Sequence, residues 1–162
     1  MNFFLADILI SKDKDVDLNI KKQILIKGLD LINKELKTSK TNNSCLTVSL
    51  RLTNIRNMKK LNYSFSGSNK ETNVLSFIPD PNETDENNNS VGDIAICVDV
   101  IKKEAKEQNK DFLDHLLHLF VHGVLHLLGY KHDSDREASK MEQLEKSILS
   151  KLGIEDPYLI EL

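Results

Sequence analysis

Between Asp111 and Leu128 the chain carries a helix-length segment with no wide polar face: Leu113, Leu116, Leu117, Leu119, Phe120, Val121, Val124, Leu125, Leu127 and Leu128 surround it. A helix that is apolar on nearly every side is normally the buried centre of a domain. Four histidines interrupt it: His115, His118, His122 and His126, at spacings of three, four and four. On a helix those spacings form one stripe. Unpaired polar groups are costly to bury, so each imidazole needs a partner. The rest of the chain must therefore wrap this segment and give its histidines something to bind.

The flanking sequence supplies strands and helices for that purpose. Residues 2–10, 45–52, 72–77 and 92–98 read as strands, and apolar spacing from Asp17 to about Leu36 predicts a helix. Thr53 is placed to cap a short helix to about Leu61, and Asp99 one to about Gln108. A last helix is expected from Ser134 to about Lys151, closed by Gly153. KTSKTNNS (37–44) and PDPNETDENNNS (79–90) read as loops. No repeat or linker divides the 162 residues, so residues 1–162 are expected to form a single α+β domain. Its expected plan is one small mixed sheet of about four strands with about five helices, and a metal site on the central buried helix and the loop that follows.

Composition removes several alternatives. With 40% hydrophobic and 29% charged residues, the chain is neither collagen-like, wholly disordered nor a disulfide framework. A net charge of −3 argues against a surface coated in positive charge, although a local patch for RNA stays open. Cys45 and Cys97 lie far apart in apolar runs, where buried, reduced thiols are expected. MNFFLADILI has no basic start and is too short to span a bilayer. The expectation is a cytoplasmic protein with no membrane association.

One ion cannot touch the whole histidine stripe, because residues 115 to 126 extend over about 16 Å of helix axis. A pair four residues apart can share one. Gly129 selects the pair, since a glycine there can adopt the left-handed conformation that ends a helix and turns the chain sharply. The return brings His132 beside His122 and His126. These three are the expected metal ligands, and three nitrogens with an open fourth position are the arrangement of catalytic zinc. His115 and His118 are expected to serve as core histidines or as support behind the ligands.

HGVLHLLGYKH (122–132) is similar to the extended zinc signature of the metzincin proteases at every ligand and at the glycine. Those proteases carry a glutamate general base directly after the first histidine. Here the residue is Gly123, which disfavours proteolysis.

With that glycine, the segment resembles the YbeY family, bacterial metal-dependent endoribonucleases of one domain. TNVLSF (72–77), GDIAIC (92–97), the acids Asp133 and Asp135, and GIEDPY (153–158) extend the resemblance over roughly residues 45–158. It implies an α+β fold, zinc (Zn2+) on His122, His126 and His132, and cleavage of single-stranded RNA without DNA specificity. It also implies work on ribosomal RNA, notably the small-subunit 3′ end, in ribosome quality control, with the ribosome or its proteins as partners. The family usually has an arginine where this chain has Ser66, and commonly an aspartate where it has Lys131. Lys70 is the nearest cation after Ser66 and the candidate to supply the missing charge at the catalytic site. Ser76 and Asp93 are further candidates to line the cleft.

The expected chemistry is that of a divalent ion which acidifies water to a pKa of about 7 and polarises a phosphate oxygen. Imidazole ligands also suit nickel, copper or iron. Two other readings differ in class. One is a metallopeptidase drawing its base from Asp133 or Glu137. The other is a ribosome-associated factor that holds metal without catalysis.

Overall fold

The computed structural model describes residues 6–36, 46–80, 82 and 90–159. Its elements run β1 (Asp7–Lys12), α1 (Lys22–Leu36), β2 (Thr47–Thr53), α2 (Ile55–Ser66), β3 (Val74–Phe77), β4 (Ser90–Cys97), α3 (Val98–Glu107), α4 (Phe112–Leu127) and α5 (Asp135–Lys151). The strands form one sheet in the order β1-β2-β4-β3. β1, β2 and β4 run parallel, and β3 lies antiparallel on the edge of β4. The fold is α+β, with a mixed four-stranded sheet and five helices among the described residues.

Alternation along the strands sends side chains to two different layers. Val48, Leu50 and Leu52 of β2, with Ile94 and Ile96 of β4, face the main core with Leu25 and Leu29 of α1, Phe120 and Val124 of α4, and Ile148 and Leu149 of α5. Ala95 and Cys97 face a smaller cluster with Met58 of α2 and Leu75 of β3. Helices therefore cover both faces of the sheet. α4 touches β3, β4, α1, α3 and α5, the central position that its apolar circumference calls for. No described helix is long and apolar enough to cross a membrane.

Several boundaries differ from the sequence expectation. α1 starts at Lys22 rather than near Asp17: Leu18 and Ile20 pack on the core from non-helical backbone, so apolar spacing persists there without a helix. Asn54, not Thr53, caps α2 by accepting a hydrogen bond from the Asn57 amide at 2.7 Å. Thr53 ends β2 instead and donates its hydroxyl to Asp13. α2 also runs on to Ser66, past Leu61. α3 begins at Val98, which puts Asp99 in its first turn rather than at the cap. Asp111 and Ser134 cap α4 and α5 through side-chain acceptance of the Asp114 and Glu137 amides. Cys97 is a buried free thiol. The expectations for residues 2–5, for the loop 37–44, for Cys45 and for most of 79–90 lie outside the described residues.

Candidate metal centre

The end of α4 turns where the sequence leads one to expect it. Gly129 has φ 99°, a backbone conformation that a side chain resists, and its amide bonds to His126 O at 3.0 Å. The reversal carries His132 back over the helix. Nitrogen atoms of His122, His126 and His132 then all lie within 4.8 Å of one another.

Hydrogen bonds assign the Nδ1 proton of two of these rings. His122 Nδ1 faces Oε1 of Glu145 on α5, and His126 Nδ1 faces the carbonyl oxygen of Tyr130 at 2.9 Å. A carboxylate and a carbonyl only accept, so each Nδ1 is assigned the proton. A neutral ring then has only a lone pair on Nε2. Those two Nε2 atoms stand 2.9 Å apart, with a third imidazole beside them. Burial, together with the nearby His122 ring, lowers the pKa of His126, so this ring favours its neutral, ligating form. Such a donor set fits one divalent transition-metal ion.

Glu145 has no exposed surface. Burial pushes its carboxyl pKa up, but hydrogen bonds from His118, His122 and Tyr158 outweigh that and hold it at about 2. The Tyr158 hydroxyl donates to Glu145 Oε2, and His118 Nε2 lies 3.3 Å from the same hydroxyl. This buried carboxylate orients a candidate ligand from behind. Its identity was not anticipated, although the signal existed: Glu145 sits four residues after Met141 and three before Ile148, on the buried stripe of α5. His115 and His118 are buried and lie behind the cluster. His115 faces Glu104 at 3.3 Å, and burial lowers its pKa despite that neighbour.

The three histidines open into a cleft of about 480 Å³ between the edge strand β3 and the turn after α4. Lys131, Ser76, Phe65 and Ile78 line it with them. Lys70 is exposed and stands outside the lining residues; its carbonyl accepts from Asn62 at 2.9 Å. Ser66 is also exposed, with its hydroxyl on Asn62 O at 2.9 Å. Ser76 donates to Gly123 O at 3.0 Å, tying β3 to α4. Asp93 is exposed on β4, away from the cleft lining.

Gly123 explains the departure from the peptidase pattern. A Cβ there would come within 3.2 Å of both Ile94 Cδ1 and Ser76 Oγ, and 3.4 Å from Val74 Cγ2. The helix lies so close to β3 and β4 at this point that a side chain would crowd all three neighbours.

The profile of a family described as endoribonuclease YbeY matches residues 8–153. An endoribonuclease YbeY from Bartonella henselae is 42% identical over 153 residues, covering 94% of this chain and 95% of that protein. One from Colwellia psychrerythraea is 44% identical over 126 residues, covering 76% and 79%. A solution structure of a Thermotoga maritima protein superimposes with a TM-score of 0.55 at 23% identity, covering 94% of this chain and 99% of that one. At that identity, the likeness concerns the fold.

Proposed function

The chain belongs to the endoribonuclease YbeY family, a family of RNA hydrolases, and from that premise we propose a zinc-dependent enzyme that cuts single-stranded RNA in the cleft beside β3. Its proposed role is maturation of ribosomal RNA, notably the small-subunit 3′ end, and ribosome quality control. The proposed setting is the cytoplasm, with the ribosome or its proteins as partners.

The observation that carries the metal reading is the convergence of the three imidazoles, with the Nε2 atoms of His122 and His126 2.9 Å apart and each Nδ1 directed at an acceptor. His122, His126 and His132 hold the ion. When bound by such a set, zinc supplies Lewis acidity toward a phosphate oxygen and water that ionises near pH 7. Glu145 keeps His122 in the ligating tautomer, and Tyr130 O does the same for His126. Among the described residues Lys131 is the cation that lines the cleft, so it is assigned the substrate phosphate, while Lys70 is exposed outside that lining. No carboxylate among the described residues lines the cleft, so none of these is placed to take a proton as a peptidase glutamate would.

The test compares a single-stranded fragment of the small-subunit 3′ region with a duplex of equal length. Zinc-loaded protein is expected to cut only the single strand and to stop on chelation. Equal cutting of both, or cutting that survives thorough chelation, would overturn the reading.

A further inference from the structure

We propose that Phe65 and Ile78 form a seat for one unpaired nucleobase of the substrate, so that this wall of the cleft itself selects single strands. The proposal rests on the ribonuclease reading above. Both residues are large, apolar and open to solvent, at 57% and 69% exposure. They come from separate elements, the last turn of α2 and the position just after β3, yet they line the same cleft as the three histidines and Lys131. Exposed apolar side chains that converge on a site mark a contact surface rather than a packing accident.

The geometry suits a flat ring. Phe65 meets Phe77 edge to face, with centroids 5.3 Å apart and planes at 85°. Phe77 belongs to β3 and is held by its register with Asp93 of β4, so the Phe65 ring is braced on one side while much of its surface stays open. Charge agrees with the occupant: among the described residues that line the cleft Lys131 contributes a cation, and none is Asp or Glu. An aromatic platform beside a cationic lining is how single-stranded nucleic acids are bound without reading their sequence. A paired base cannot offer its face to such a platform, because its neighbours in the duplex already cover it. The side chains therefore set both the strandedness of the substrate and the distance from the seated base to the histidines.

The test is a scan of a short single-stranded RNA, abasic at each position in turn, with full-length zinc-loaded protein and with Phe65→Ala, Phe65→Trp and Ile78→Ala. Removing a base contact of this kind is expected to weaken binding about 10- to 100-fold. Wild type is expected to show one abasic position near the cut with a loss of that size, carried in KM more than in kcat. Phe65→Ala should show the same loss with the intact RNA and no further loss at that abasic position, Phe65→Trp should retain binding, and Ile78→Ala should show a smaller loss. Zinc affinity should stay at the wild-type value in all three, and each variant should remain folded at the assay temperature. Wild type that cuts but is insensitive to every abasic position would overturn the seat alone, whatever the variants do. So would Phe65→Ala cutting as wild type does, or abasic penalties that add in full to it. Wild type that cuts no RNA at all would instead defeat the ribonuclease reading on which the seat depends.

Discussion

Glu145, a carboxylate with no exposed surface, accepts a hydrogen bond from Nδ1 of His122, a residue 23 positions earlier on the neighbouring helix. The contact joins the hydrophobic centre of the domain to its chemical site. A charge is stable in that position only because His122, Tyr158 and His118 surround it, and their arrangement turns His122 Nε2 toward the cleft.

Replacing Glu145 therefore acts on metal affinity before anything else. Glu145→Gln keeps the shape but gives up the charge, and about a 10- to 100-fold loss in zinc affinity is expected, as for other partners behind metal-bound imidazoles. Tyr158→Phe should cost less, since His122 keeps its carboxylate. Chelator competition measures both, and unchanged affinity in Glu145→Gln would contradict the orienting role.

Gly123 gives a test of the departure from the peptidase pattern. Glu at position 123 would be driven into Ile94, Ser76 and Val74. Gly123→Glu should lose about 1–3 kcal/mol of stability through overpacking, measured by thermal melting, and should gain no activity on a casein substrate.

Lys131 is expected to act through charge. Lys131→Ala should raise KM for RNA with zinc affinity unchanged, and the difference from wild type should narrow as salt is added. Lys70→Ala, altering an exposed residue outside the cleft lining, should have the smaller effect.

The three ligand candidates and the turn that assembles them were legible because each depends on local rules: an i, i+4 pair on a helix, a glycine able to take positive φ, and a histidine within reach of the return. The apolar circumference of α4 likewise identified the centre of the fold. Contacts between distant segments were harder to read. Glu145 and Tyr158 meet His122 only after α5 and the chain beyond Gly153 fold against α4, and in sequence Glu145 looks like one more charge in MEQLEKS. Asp13 was likewise unremarkable in SKDKD, yet it gathers Arg51, Thr53, Asn54 and Asn57 from β2 and the start of α2.

That cluster makes stability depend on acid. Burial raises the Asp13 pKa, but the hydrogen bonds from Thr53, Asn57, Arg51 and the Asn54 amide prevail and hold it at about 2. A carboxyl held below its unfolded value adds stability that is fully present above the ordinary carboxylate pKa and is lost as pH falls toward 2. Asp13→Asn is thus expected to cost ~2 kcal/mol at pH 7, with the gap to wild type closing between about pH 4 and pH 2. Denaturant melts across that range check the sign, and a gap that widens on acidification would contradict it.

The most direct test of the account compares His126→Ala with wild type for zinc content, melting temperature without metal, and cleavage of single-stranded ribosomal RNA. The expected result is that zinc binding and cleavage are both lost while the metal-free melting temperature barely moves, which places the histidine in chemistry rather than in folding. Cleavage that persists in the variant at the wild-type rate would contradict the central claim that the three histidines hold the catalytic ion.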